Sequence, residues 1–352
     1  MREGYNPTPM STSSLPVQHD VSLRSLNTFG IEAHAHAYLP VEGVESLRTL
    51  RQDAALMALP RLVLGGGSNL LLTQDFSGLV LHMQGRGIEI TGEDENFTYV
   101  RAAAGENWHA FVQWTLQQGL GGLENLSLIP GSVGAAPIQN IGAYGIEIKD
   151  RFHSLRAFDL VSGELLTLDR DACRFGYRDS IFKHELRERA VVLEVSFALS
   201  KCWQANANYA DVAQALQQRG ITEPGPRDIA EAVIAIRTRK LPDPAKIGNA
   251  GSFFKNPIVP ARLRDTLLAQ YANLVSYRVD DDHYKLAAGW LIDRCGWKGR
   301  NMGRAGVYEQ QALVLVNRGG ATGAEVARLA QAIQEDVKEK FGVQLEPEPV
   351  FI

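Results

Sequence analysis

The chain has 352 residues, longer than one ordinary domain, so two or three domains are expected. Hydrophobic residues make up 45% and charged residues 22%, with a net charge of -4. That balance can bury a core, and it argues against a general nucleic-acid or anionic-membrane surface while leaving room for a local basic pocket.

In chain order, residues 1–20 are rich in Ser, Thr and Pro and lack an apolar core segment, which reads as a flexible tail rather than a signal peptide. Asn27-Thr28-Phe29-Gly30 precedes an extended run through Tyr38 and Leu39 to Pro40. Val44, Leu47, Leu50 and Ala54 recur at helical spacing. The apolar strand Leu62-Val63-Leu64 then enters a glycine loop, and a second strand follows at Leu79-Val80-Leu81. Strands near residues 99–103 and 191–197 bracket a helix with Trp108, Phe111, Val112 and Leu116 on one face, Asn107 as N-cap and Gly119 as its C′ residue.

Arg237-Thr238-Arg239-Lys240 followed by Leu241-Pro242-Asp243-Pro244 marks a boundary, because the prolines stop a helix and force an extended exit. Beyond it, Thr322 and Glu325 form a capping box. Val326, Leu329, Ala330, Ile333 and Val337 make an apolar stripe, and Gly342 closes that helix. Residues 343–352 alternate as a strand, with Glu346 and Glu348 on one face and two prolines keeping it at an edge. No run of about 18 apolar residues occurs, so no membrane span is expected. Cys173, Cys202 and Cys295 form no C-x-x-C pair, which fits a reducing, cytoplasmic location. His34 and His36 lack a third ligand, so no metal site is expected.

Five stretches carry candidate chemistry. Gly65-Gly66-Gly67-Ser68-Asn69 follows a strand and suits either a phosphate-binding loop or a tight turn; it matches neither G-x-G-x-x-G nor a Walker loop. Residues 129–145 form a long segment of small and apolar residues with four glycines among residues 131–145. It fits a backbone wrapped round a flat buried cofactor, or a tightly packed core arch. Arg178, in Phe175-Gly176-Tyr177-Arg178-Asp179-Ser180, could clamp a carboxylate or phosphate, or pair with Asp179. Ser252, between Gly251 and two phenylalanines, could donate a proton or be a strand-edge serine satisfied by backbone. Glu348 between Pro347 and Pro349 is either a positioned carboxylate or a solvated one.

These stretches together resemble the UDP-N-acetylenolpyruvoylglucosamine reductase family, in the subtype with a tyrosine loop over the substrate. The matching segments are 27–30, 65–69, 130–145, 175–183, 240–244, 249–257, 285–293 and 345–348. The resemblance implies an α+β protein with a two-lobed FAD-binding domain of the vanillyl-alcohol-oxidase type (residues 21–86 and 87–240, with 343–352 returning to the second lobe). A substrate-binding domain would span 241–342.

It further implies non-covalent FAD held by Gly65, Gly66, Gly67, Ser68, Asn69, Gly131, Ser132, Ala135, Gln139, Asn140, Gly142, Ala143, Gly145 and Arg178, with NADPH as reductant. The implied reaction reduces UDP-N-acetylglucosamine enolpyruvate to UDP-N-acetylmuramate, a peptidoglycan precursor. Hydride would pass from flavin N5 to C3, and Ser252 would protonate C2. Arg178 and Glu348 would hold the substrate carboxylate and stabilise the developing enolate. Tyr177, Tyr209, Lys240, Asn256 and Gln311 would touch the substrate, Lys240 and Tyr209 at its diphosphate and uridine end. Two other functions fit the residues less fully: another FAD oxidoreductase on the same fold, and a UDP-sugar-binding protein without activity. The oligomeric state is left open, and a monomer is compatible with the sequence.

Overall fold

A computed structural model describes residues 15–352 of the chain. The first lobe is a four-stranded mixed sheet. Strand Gln18–Ser22 runs antiparallel to His34–Val41, which pairs in parallel with Phe76–Met83, and Arg61–Leu64 completes the order on the far side. Period-two alternation sends Ala37, Leu39 and Val41 to one face, where they cluster with Leu47 and Leu50 of helix Val44–Gln52. That helix ends before Ala54. Asp53 turns extended and accepts the Ala55 and Leu56 N–H groups, starting a separate turn, Ala54–Met57. The expected tail at residues 1–20 also needs correction: Gln18–Ser22 is a paired strand, while residues 1–14 lie outside the described residues.

The second lobe is a five-stranded antiparallel sheet in the order Leu165–Asp169, Phe152–Asp159, Ala190–Ser200, Phe97–Ala103, Ile88–Glu93. Helix Trp108–Gln117 packs on it through a cluster of the Trp108, Phe111 and Phe197 rings. Its termini follow from local chemistry. The Asn107 side chain accepts the Ala110 N–H at 2.9 Å, and Gly119 turns left-handed just past the end. Helices Ala210–Gln218 and Pro226–Lys240 then form a small unit with its own core around Val212, Leu216, Ile229 and Val233.

The remaining chain builds a four-stranded and a three-stranded antiparallel sheet with helices Ala261–Gln270, Ala288–Arg294 and Gly323–Phe341. The last helix has the expected capping box and left-handed Gly342, and its whole apolar stripe is buried. Its core is continuous with that of the first lobe: Phe29, Ile31 and Leu71 cluster with Phe253, Phe254, Leu329 and Leu345.

The chain end departs from the expected strand. The ladder is Val350–Phe351 alone, in parallel with Leu70–Leu71 of the first lobe, because Pro347 and Pro349 have no N–H to extend it; Pro347 makes a single antiparallel bridge to Phe254. Residues 346–348 run beside 253–255 instead, through Lys255 N–H to the Glu346 carbonyl and Glu348 N–H to the Phe253 carbonyl. The return to the second lobe is therefore made by one side chain, Glu348 reaching Arg178, and the backbone joins the first lobe. Glu346 and Glu348 also part company, with side chains 70% and 10% exposed.

Candidate active site

Strand Arg61–Leu64 delivers the 65–69 loop against the start of the second glycine segment. The two backbones touch: a Cβ on Gly66 would sit 2.8 Å from the Gly131 Cα, so no larger residue fits there. Gly131 adopts φ 122°, which a side chain rarely tolerates. Side chains then lock the loops together. The Ser68 hydroxyl donates to the Pro130 carbonyl at 3.1 Å, and the Asn69 amide donates to Gln139 at 2.8 Å and to the Glu348 carbonyl at 3.3 Å.

Between the loops lies a cavity of about 290 Å³, lined by 65–69, Gly131, Ser132, Ala135, Gln139, Gly142, Arg178, Ser252 and Glu348. Its apolar walls include Trp108, Ile129, Pro130, Ile138 and Ile141. The N–H groups of Gly66, Gly67 and Ser68 find no acceptor among the described residues. The Ser132 hydroxyl is likewise buried without a partner. Unspent donors together with apolar walls suit a dinucleotide, whose diphosphate accepts hydrogen bonds and whose rings need dry surface.

Three charged or hydroxylic side chains line the same cavity. Residues 176–179 form a tight turn closed by reciprocal Gly176–Asp179 backbone bonds, with Arg178 at φ 56°. Arg178 donates through Nη2 to the Gly142 carbonyl at 2.9 Å and places Nε 3.4 Å from a Glu348 carboxylate oxygen. Asp179 does not compete for it, being paired with His184 at 2.8 Å. Burial raises the Glu348 carboxyl above its ordinary range, opposed by the nearby Arg178 and Lys183 cations. Ser252 lines the same cavity, and its hydroxyl makes no hydrogen bond among the described residues. The loop before it is set by Asn249, whose buried amide oxygen accepts the Gly251 N–H at 2.9 Å.

Three expected cofactor contacts are not among the residues lining this cavity. Asn140 is fully buried with its amide spent on Glu147, the Gly176 carbonyl and the Lys149 N–H, so it is a structural clamp. Ala143 and Gly145 sit in a small hairpin, Gly142–Ala143 with Ile146–Glu147, whose reversal at Tyr144 and Gly145 carries them off the cavity wall.

The five expected substrate contacts lie outside the cavity lining, in separate groups. Tyr177 adjoins Arg178, with the Lys285 ammonium 4.6 Å from its ring centre, while the Asn256 amide oxygen accepts the Ala288 N–H. Tyr209 is exposed and packs edge-on against Tyr144 at 5.2 Å. Lys240 pairs with Asp211 at 2.7 Å, joining the two helices of that unit. Gln311 accepts the Leu313 N–H beside Gly289, next to the Ala288 that Asn256 holds.

Two cavity cations were not singled out by sequence reasoning. Lys183 closes the 175–183 stretch. Arg237 read only as part of a basic boundary, yet it lines the cavity, donates to the Leu128 carbonyl at 3.3 Å and forms no ion pair among the described residues. Burial lowers its pKa. Among the described residues no group of three His, Cys, Asp or Glu side chains could hold a metal ion, and no helix is long and apolar enough to cross a membrane.

Residues 35–169 match the family model described as an FAD binding domain. Fold, cavity and match together define a flavin-dependent oxidoreductase with a two-lobed FAD-binding domain and an α+β C-terminal unit. Residues 243–352 match the family model described as the UDP-N-acetylenolpyruvoylglucosamine reductase C-terminal domain. A reductase of that name from Paraburkholderia phymatum is 57% identical over 96% of this chain and 99% of its own. One from Azoarcus sp. is 57% identical over 96% and 98%. The crystal structure of the Thermus caldophilus reductase superposes with TM-score 0.67 at 25% identity, covering 96% of this chain and all of that one. The chain belongs to the UDP-N-acetylenolpyruvoylglucosamine reductase family.

Proposed function

We propose that the chain reduces UDP-N-acetylglucosamine enolpyruvate to UDP-N-acetylmuramate, a step of peptidoglycan precursor synthesis, in the cytoplasm and at the expense of NADPH. The observation that carries the assignment of roles is that Ser252, Arg178 and Glu348 line one cavity built by two interlocked glycine loops, with Arg178 and Glu348 in contact. FAD would be held by the 65–69 loop with Gly131, Ser132, Ala135, Gln139 and Gly142, and when bound it supplies the hydride-transfer chemistry that no side chain can.

The protein's own groups do the rest. Arg178 offers a fixed guanidinium to the substrate carboxylate, where it stabilises the negative charge that develops on reduction. Glu348, buried beside it, fixes that guanidinium and sets the local charge balance. The partnerless Ser252 hydroxyl supplies a proton to C2 of the enolpyruvyl group and recovers one from solvent. Arg178 and Arg237 leave the cavity cationic in a chain of net charge -4, which suits an anionic cofactor and substrate. Tyr209 and Lys240 take the nucleotide end, where Lys240 must exchange Asp211 for the diphosphate. Residues 21–86 and 87–240 serve as FAD-binding lobes, and 241–342 as the substrate-binding unit.

The test is an anaerobic absorbance titration of purified protein. Flavin bands that bleach with NADPH and return with the enolpyruvyl sugar support both half-reactions. Bands that return only with air discard the substrate, and protein that cannot be loaded with FAD overturns the reading.

A further inference from the structure

Arg178 stands in a conformation that its sequence does not favour. At φ 56° the backbone is left-handed, a region ordinarily left to glycine or asparagine. Such a turn persists only where its surroundings over-determine it. The reciprocal Gly176–Asp179 bonds close the turn but leave the Arg178 carbonyl unheld. Lys183 holds it: its ammonium donates to that carbonyl at 2.8 Å.

Lys183 is itself firmly placed. It ends a short turn, Ile181–Lys183, whose Phe182 is buried and whose cap, Ser180, donates to the Ile138 carbonyl at 2.7 Å. No carboxylate lies within ion-pair distance of Lys183 among the described residues, whereas neighbouring Lys255 pairs with Glu346 at 3.1 Å. A cation without a carboxylate, half-buried in the cavity wall and bonded to a main-chain oxygen, has no ordinary surface role. Burial lowers its pKa, the cost of keeping it there.

We infer that Lys183 is a positioning residue, whose ammonium pins the Arg178 carbonyl and so fixes the left-handed turn that aims the Arg178 guanidinium at Glu348 and the substrate. The inference rests on the role proposed above for Arg178. It adds a residue that acts on the reaction only through another side chain, so its removal should matter only while Arg178 is present.

The test uses the FAD-loaded full chain with Lys183→Met, Arg178→Ala and the double variant. Lys183→Met should slow reoxidation by the enolpyruvyl sugar about ten- to hundredfold, the worth of a charge-assisted hydrogen bond. Flavin reduction by NADPH should stay within about twofold on the same reasoning. In the Arg178→Ala background the second substitution should change reoxidation less than about threefold, the signature of shared action. Equal slowing of both half-reactions, or additive losses in the double variant, overturns the inference. Should Lys183→Met fail to fold, Lys183→Gln takes its place under the same criteria. Amide hydrogen exchange across residues 176–183, read without substrate, separates this inference from the proposed reaction. Faster exchange in the variant supports the pinned turn even if wild-type protein is not reoxidised by the sugar. Unchanged exchange overturns the inference while leaving the reaction standing.

Discussion

Ser252→Ala separates a catalytic hydroxyl from a structural one, because the two roles differ by several kcal/mol in opposite ledgers. Ser252 is half-buried and its hydroxyl makes no hydrogen bond among the described residues. Truncation therefore leaves no orphaned partner, and stability should change by no more than about 0.5 kcal/mol. A proton donor is worth about 10²–10⁴ in rate, or about 2.7–5.4 kcal/mol of transition-state stabilisation. The variant should keep its melting temperature and its FAD, and should be reduced by NADPH at nearly the wild-type rate. Reoxidation by the enolpyruvyl sugar should fall at least about a hundredfold. Anaerobic stopped-flow absorbance reads the two half-reactions separately, and thermal unfolding checks the fold. Equal loss in both half-reactions, or a melting temperature lower by many degrees, would refute the reasoning by making Ser252 a structural residue.

Three further outcomes are expected. Asn140→Ala strands the Gly176 carbonyl and the Lys149 N–H in the interior, so denaturant unfolding should show a loss of about 1–3 kcal/mol; an unchanged midpoint would return Asn140 to the list of cofactor contacts. Leu329→Ala, in the fully buried stripe of helix Gly323–Phe341, should cost about 2–5 kcal/mol by the same measurement, with the flavin spectrum retained. His82 and His109 both have pKa values lowered, chiefly by burial. The unfolded chain gains protons on these rings as pH falls below about 6.5 while the folded chain does not, so their stabilisation is full above that pH and declines below it. His109 Nδ1 accepts the Leu128 N–H at 3.0 Å, and protonation would remove that acceptor. Melting temperature should therefore drop from pH 7 toward pH 5, and His109→Gln should flatten the drop; an unaltered slope would exclude His109.

Much of this protein was legible in order along the chain. Helix Trp108–Gln117 announces itself through Asn107, its apolar spacing and Gly119, and helix Gly323–Phe341 through Thr322, Glu325 and Gly342. These signals are local, since a cap or a periodic face involves partners within a few residues. The glycine loops and the stretches around Arg178, Ser252 and Glu348 were equally visible, because close backbone approach and a chemical task each restrict residue type at fixed spacing. Assembly was not visible. Asn69 bonds to the Glu348 carbonyl across 279 residues of sequence. Neither that pairing, nor the return of Val350–Phe351 to the first lobe, nor the shared core of Phe29 and Phe253 leaves a periodic trace. The same holds for Arg237, which read as a boundary charge until the fold turned it inward, and for Lys183, which the 175–183 segment contained without singling it out. Asn140 shows the reverse: its place in a glycine segment suggested a ligand contact, but burial spent its amide on the backbone. The sequence by itself marked the two capped helices, the glycine loops and the side chains proposed to react. Tertiary packing alone decided which polar groups stay unspent and face the cavity, because that depends on long-range neighbours that satisfy some donors and leave others free.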